Sequence, residues 1–114
     1  MNKPVVFIAA ANYQFDSAVK AEKFAREAGA EVLNPTVSLP CGLAPSCYLP
    51  IEVAMLEASD IIWVVASNYR NCNLRALVHY ALAQDITIVT SEQMLMKELA
   101  KYCNYEQLII DEEV

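Results

Sequence analysis

The chain contains two unbroken apolar runs, at residues 5–9 and 61–65. Because neither run alternates between apolar and polar residues, both predict strands buried on two faces, as in a parallel sheet. Residues 31–33 and 86–89 predict two shorter strands, and residues 108–110 are a candidate fifth strand. The spacing leaves room for a helix between successive strands.

Apolar residues between these strands recur with the spacing of α-helices. The first helix begins at residues 16–17 and ends before Gly29, a residue that suits the left-handed position after a helix. Residues 35–47 form a long irregular loop, a feature that is often functional. Pro50 then suits the first turn of a second helix. The clearest helix covers residues 74–82, where apolar side chains fall at i, i+3, i+4, i+7 and i+8.

Strands that alternate with helices predict an α/β fold, a three-layer, doubly wound parallel sheet covered by helices on both faces. The natural strand order is flavodoxin-like, 2-1-3-4-5, within a single domain that spans residues 1–114. Sheets of this kind bind ligands outside the carboxyl ends of their strands, where the strand order reverses. We therefore expect any working site in the crevice at that edge of the sheet.

Aromatic and amide side chains occur repeatedly on the segments predicted to border this crevice. Together they suit a planar, polar ligand such as a nucleobase or nucleoside. The candidate ligand-binding residues are Ala10, Asn12, Tyr13, Asn34, Tyr48, Ser67, Asn68 and Asn71. Two carboxylates, Asp16 and Glu52, are the candidate catalytic residues. Each also has a structural explanation, since Asp16 can cap the first helix and Glu52 can offset the dipole in the first turn of the second.

The composition narrows the classes of function. The chain has 8 Lys and Arg against 14 Asp and Glu, so its net charge is −6, and nothing supplies the basic face that nucleic-acid binding needs. Four cysteines and a single histidine match no zinc pattern, and two glycines supply no phosphate-cradling loop, so we expect neither metal nor cofactor. With no signal segment and no apolar run long enough to span a bilayer, we expect a cytoplasmic protein.

Three stretches of the chain follow the motifs of a known superfamily. Residues 29–35 look like its "G-x-x-V-x-N-P" segment, the most specific of the three. Tyr48, Glu52 and residues 56–60 resemble its "Y…D…L…D" passage from a helix into a strand. Residues 71–88 match, in position, its "S-x-G-A-x-x-E" helix and the strand that follows. Over roughly residues 4–90 the chain resembles the nucleoside 2-deoxyribosyltransferase-like superfamily, especially a group of short, often phage- or prophage-borne domains.

This resemblance implies a chemistry and an assembly. The superfamily cleaves or exchanges the N-glycosidic bond of deoxynucleosides or their monophosphates, and a glutamate acts at the sugar carbon, because an oxocarbenium-like centre needs a carboxylate beside it. The superfamily also generally forms homo-oligomers in which neighbouring subunits complete the site. By resemblance, the partner is a nucleoside- or nucleotide-like small molecule, and the chain itself is a homo-oligomer.

The sequence departs from the superfamily at the motif residues on which the superfamily's chemistry depends. The Gly-Pro of the first turn is Ala10-Ala11, and the Ser and Gly before the glutamate are Asn71 and Asn73. The glutamate's own position is Leu77, which falls on the apolar stripe of its helix. Because losing that carboxylate should cost many orders of magnitude in rate, the resemblance supports the fold and argues against the standard activity.

Three hypotheses follow from the sequence. In the first, the domain binds a nucleoside-like small molecule without the standard catalysis. In the second, it is an active N-glycosidase or deoxyribosyltransferase that uses Glu52 or Asp16 instead. In the third, it is a non-enzymatic oligomeric interaction module. The third draws on composition, since 56% of residues are hydrophobic and 19% charged, an excess that fits a subunit interface.

Overall fold

The computed structural model describes residues 3–11, 14–39, 45–65 and 72–113, with side chains described for residues 47–65 and 74–102 of the last two segments. The strands are β1 (Val5–Ala9), β2 (Glu31–Leu33), β3 (Ile61–Val64) and β4 (Thr87–Val89). The helices are α1 (Phe15–Glu27), α2 (Pro35–Ser38), α3 (Pro45–Glu57), α4 (Cys72–Ala83) and α5 (Glu92–Glu113).

The four strands form one parallel sheet in the order β2-β1-β3-β4. The predicted α/β class and the first four positions of the flavodoxin-like order are confirmed. The predicted fifth strand is wrong, because residues 108–110 lie within α5. A three-residue apolar run does not distinguish a strand from a buried helical segment, and residues 92–113 contain no glycine or proline that would end the helix.

Helices cover both faces of the sheet and so make the three predicted layers. Side chains alternate along β1, so that Val6 and Ile8 face one layer while Phe7 and Ala9 face the other. The first layer contains α1 and α5, which contribute Ala18, Ala21, Ala25, Leu95 and Leu99 to the core. The second contains α3 and α4, which contribute Leu56, Leu74, Leu77 and Ala81.

Two predicted helix starts are corrected by the structure. Helix α1 begins at Phe15 after an N-cap at Gln14, which leaves Asp16 in the first turn rather than at the cap. Helix α3 begins at Pro45, so Pro50 lies inside it rather than in its first turn. Both prolines satisfy the local preference for a helix start, and Pro45 is the one that occupies the first position. At the other end of α1, Gly29 has the predicted left-handed backbone, with φ of +98°.

The stretch predicted as an irregular loop carries helix at both ends. Helix α2 occupies Pro35–Ser38 and α3 begins at Pro45, while residues 40–44 lie outside the described part of the chain. Pro35 explains the start of α2, because a proline at the first helical position favours a helix start, whereas the N-cap residue Asn34 makes no side-chain capping hydrogen bond.

Asn34 joins three elements at the end of β2. Its side chain is buried, and its Nδ2 donates hydrogen bonds to the backbone oxygen of Ala18 at 3.0 Å and to Oε1 of Glu22 at 3.1 Å. Its own backbone oxygen accepts hydrogen bonds from the amides of Val37 and Ser38, which begins α2. One residue therefore fixes the position of α2 relative to β2 and α1.

Replacement of Asn34 by alanine should lower the free energy of unfolding by about 1–2 kcal/mol. The variant loses two hydrogen bonds, one of them to a carboxylate, and the loss is partly offset because it also removes an Oδ1 that is buried without a partner among the described residues. Urea denaturation measures the difference. The exposed Ser38→Ala on α2 is the control, expected within about 0.5 kcal/mol of the wild type. Equal stability of the two variants would contradict the role of Asn34.

Candidate functional site

A small cavity lies at the carboxyl end of β1, on the side of the sheet covered by α3 and α4. Its volume is about 20 Å³, which is room for one water molecule. The strand, α2, α3 and α4 all contribute to its walls. The lining residues are Phe7, Ile8, Ala9, Ala10, Pro35, Thr36, Tyr48, Glu52, Leu74 and Leu77.

Helix α2 is held against the end of β1 by a direct hydrogen bond. The Oγ1 of Thr36 donates to the backbone oxygen of Ala10 at 3.1 Å. Pro35 is buried beside it, and the amide of Val65 donates to the backbone oxygen of Ala9 at 2.9 Å, which extends the pairing of β1 with β3 up to the cavity. The rim of the cavity is therefore tied together by backbone and side-chain bonds from three elements.

Helix α3 supplies the two largest polar side chains of the lining. Tyr48 and Glu52 are four residues apart and so lie on the same face of the helix, and both are partly buried. The sequence prediction placed Glu52 in the first turn of its helix, which is wrong because α3 begins at Pro45. A favourable helix dipole therefore does not explain why an acid stands at this position.

The partly buried surroundings of Glu52 change the ionisation of its carboxyl group. Desolvation by burial raises the pKa of Glu52 above its ordinary value. Within the described part of the chain no side chain forms an ion pair with it. A carboxyl in this environment can be protonated and donate a hydrogen bond, or be ionised and accept one, as the pH or a ligand requires.

Helix α4 closes the cavity with aliphatic side chains. Leu77 is 1% exposed and belongs to the core on this side of the sheet, and Leu74 is 3% exposed. Both line the cavity, so the position that the resemblance assigns to a catalytic glutamate faces the same space as Glu52. Thr36, Tyr48 and Glu52 contribute the polar side chains of the lining.

The predicted site residues fall into three groups. Ala10, Tyr48 and Glu52 line the cavity. Asn34 does not line it, because its side chain is buried against α1, and Asp16 lies exposed in the first turn of α1. The remaining predicted residues, Asn12, Tyr13, Ser67, Asn68 and Asn71, lie outside the described part of the chain.

Sequence reasoning missed Pro35, Thr36, Leu74 and Phe7 as lining residues. The sequence did contain a signal for Pro35 and Thr36, because Asn34-Pro35 is typical of a helix start as well as of a strand end. Phe7 and Leu74 read as ordinary core positions, and they are also core positions in the structure. Their place in the cavity depends on how far α3 and α4 separate above the sheet, which the sequence does not reveal.

Across the described ranges, no three His, Cys, Asp or Glu side chains come together in a way that could hold a metal ion. None of the helices that the structure describes combines the length and the apolar character needed to cross a bilayer.

The raised pKa of Glu52 predicts a change of stability with pH. Because the folded state holds this proton more tightly, the unfolded state ionises first as the pH rises above 4.5, and the wild type loses stability until the pH exceeds the folded pKa. Glu52→Gln cannot ionise, so its free energy of unfolding should rise relative to the wild type over that window. Urea denaturation at pH 4 to 8 tests this, since other carboxyls cancel in the comparison. A difference that stays constant with pH would contradict it.

Two solved structures share this architecture. A 2-deoxyribosyltransferase from the psychrotolerant bacterium Bacillus psychrosaccharolyticus superposes with a TM-score of 0.61 at 14% sequence identity, over 74% of this chain and 69% of that one. A 2-deoxyribosyltransferase from Leishmania mexicana gives a TM-score of 0.61 at 17% identity, over 76% of this chain and 63% of that one. At such identities the likeness shows a deoxyribosyltransferase-like fold and no more.

The sequence comparisons place the chain in a family. No curated protein matches it. The model of one family matches residues 6–90, a stretch that begins within β1 and ends just after β4, and so includes the candidate site. The chain belongs to the family described as a domain of unknown function, DUF4406.

Proposed function

We propose that this domain binds a nucleoside- or nucleotide-like small molecule at the carboxyl end of its sheet and lacks the standard deoxyribosyl-transfer catalysis. The observation that carries the proposal is the cavity in which Tyr48 and Glu52 face the aliphatic side chain of Leu77. The fold shared with two 2-deoxyribosyltransferases supports the ligand class. The cavity also lies at the edge where doubly wound sheets bind ligands.

The chemistry of the lining suits one end of a nucleobase. Tyr48 offers an aromatic ring, and Glu52 offers a carboxyl that can donate or accept a hydrogen bond. A space of about 20 Å³ admits a single polar group of the ligand, in place of a water molecule. The rest of the ligand would lie at the mouth of the cavity, over Ala10 and Thr36.

Among the described residues that line the cavity Glu52 is the one carboxylate, and this argues against the standard catalysis. Cleavage of a glycosidic bond usually needs two carboxyl groups, one at the developing cation and one to assist the leaving group. Glu52 is the acid in the described lining, and Leu77 stands where the resemblance assigns the glutamate that acts on the sugar. Its side chain can neither attack nor stabilise an oxocarbenium centre.

The setting of the domain follows from the same resemblance. We propose that it acts in the cytoplasm as a homo-oligomer, and that it is one of the phage- or prophage-borne members of the superfamily. A single domain spanning residues 1–114 would then need a neighbouring subunit to enclose a ligand at the cavity mouth.

A thermal-shift panel tests the binding proposal. Nucleosides, deoxynucleosides, their monophosphates and ribosyl compounds are added to the protein, and one class should raise its melting temperature. A ligand at about 100 times its Kd adds about 2.7 kcal/mol to the free energy of unfolding. No shift with any compound would overturn the proposal.

Two variants make the same panel specific for the cavity. Glu52→Leu keeps a similar side-chain volume but removes the carboxyl, so the shift should disappear. Glu27→Gln removes an exposed carboxyl from α1, outside the cavity, and should keep the shift. Loss of the shift in both variants would point to a general charge effect instead.

The second candidate is an active N-glycosidase or deoxyribosyltransferase that uses Glu52 or Asp16. The raised pKa of Glu52 favours this candidate, because a general acid must hold its proton near the working pH. Chromatography of free base released from deoxynucleosides and their monophosphates distinguishes the two. Our proposal expects no release above the protein-free control. Release that is lost in the double variant Glu52→Gln with Asp16→Asn would refute our proposal and support catalysis.

A further inference from the structure

A cavity much larger than that of the candidate site lies at the opposite edge of the sheet, at the amino ends of β3 and β4. Its volume is about 710 Å³, within the range of cavities that hold small organic molecules. Its walls come from α3, α4 and α5 and from the residues that precede β3 and β4. The cavity therefore crosses the edge of the sheet from one helix layer to the other.

Three carboxylates border this cavity at separate points of the fold. Glu57 ends α3, Asp60 precedes β3, and Asp85 lies in the turn between α4 and β4. None of the three forms an ion pair with a described residue, and the described lining contains no lysine, arginine or histidine. The three do not converge as the ligands of one metal ion would. The negative charge is spread along the cavity, which suits an extended organic cation.

Two hydroxyl groups of the lining are left as hydrogen-bond acceptors. The hydroxyl of Tyr80 donates to Oε1 of Glu57 at 2.7 Å. The hydroxyl of Ser59, a residue only 8% exposed, donates to the backbone oxygen of Met55 at 2.9 Å. Because the hydrogen of each hydroxyl is already engaged, its oxygen can only accept a hydrogen bond from a ligand. Together with the carboxylates, these oxygens favour a ligand rich in donors, such as one that carries ammonium groups.

Two tyrosine rings border the cavity from opposite layers, each beside an acid. Tyr80 packs in the layer of α3 and α4, whereas Tyr102 packs against the core of the layer of α1 and α5. Burial, together with the nearby carboxylates of Asp60 and Glu98, raises the pKa of Tyr102, so Asp60 is its neighbour. An aromatic ring beside a carboxylate attracts an ammonium group through both the ring face and the opposite charge. The two acid–tyrosine pairs are Glu57 with Tyr80 and Asp60 with Tyr102.

We propose that this cavity binds a linear aliphatic polyamine, with one ammonium group at each acid–tyrosine pair. The pairs lie on opposite faces of the sheet, so a molecule with separated ammonium groups reaches both, whereas a monoamine reaches only one. The methylene chain between the ammonium groups would cross the edge of the sheet over Ile86, an apolar residue of the lining. This site is separate from the cavity at the carboxyl end of β1 and does not depend on its ligand.

Isothermal titration calorimetry of the full chain with spermidine, putrescine and butylamine tests the proposal. Affinity should rise from butylamine to putrescine to spermidine, and spermidine should bind at least about tenfold more tightly than butylamine, because its second ammonium group engages the second pair. Magnesium chloride is the control for a simple attraction between charges and should bind more weakly than spermidine. No binding of spermidine, equal affinity for the three amines, or tighter binding of magnesium would each overturn the proposal.

Three matched variants locate the polyamine in the cavity. Glu57→Gln and Asp60→Asn each remove one charge but keep an oxygen for the hydrogen bonds from Tyr80 and from the amide of Val5, so both should fold. Each should weaken spermidine binding by about threefold or more. Glu92→Gln removes an exposed carboxyl at the start of α5, at the other edge of the sheet, and should leave the affinity unchanged. An equal loss in all three would show a general charge effect and refute the site.

The aromatic ring and the independence of the two cavities are tested in the same titrations. Tyr102→Phe keeps the ring and should keep the affinity, whereas Tyr102→Leu should weaken spermidine binding because the cation–π attraction is lost. Wild-type affinity in the leucine variant would contradict the role of the ring. Glu52→Leu should bind spermidine like the wild type, and nucleosides report on the cavity at the carboxyl end separately. Failure of one proposal therefore leaves the other standing.

Discussion

Residues 6–9 of β1 have at most 1% of their surface exposed, and β1 has a strand on either side. A strand buried on both faces needs a helix layer above and below it, which is why α1 and α5 cover one face and α3 and α4 the other. The strand is free only at its ends. The helices that follow β1 and β3 cover opposite faces of the sheet, and Ala9 and Ala10 at the carboxyl end of β1 line the cavity. The burial of β1 therefore determines where a ligand can approach the sheet.

The sequence predicted the parts of the fold that depend on this constraint. Unbroken apolar runs identified β1 and β3, because burial on two faces removes the alternation that other strands show. The sequence prediction failed where more than one residue carried the same local signal and tertiary packing determined which residue was used. Pro45 and Pro50 are both acceptable at a helix start. Tyr48 and Leu49 are partly buried, and they pack only if the helix already includes them, so tertiary contact favours the earlier start.

The contrast between local signals and tertiary packing also explains which residues of the candidate site were predicted. The rule that ligands bind at the carboxyl ends of parallel strands was sufficient to select Ala10, Tyr48 and Glu52, which line the cavity. The rule also selected Asn34, which comes directly after β2. Its side-chain amide donates hydrogen bonds to Ala18 and Glu22 instead, because a buried polar side chain needs hydrogen-bond partners and α1 offers the nearest acceptors. Thr36 was missed because α2 was not predicted.

Helix α3 supplies the polar side chains of the candidate site and also part of the molecular surface. Tyr48 and Glu52 line the cavity, whereas Ile51 and Ala54 are exposed. Pro50, between them, removes one hydrogen bond from the helix interior, which weakens the helix as an isolated element. The packing of Leu56 and Val53 of α3 against the sheet restrains the helix and holds Tyr48 and Glu52 in place. The candidate site therefore depends on the tertiary contacts that position α3 as well as on the residues of its own lining.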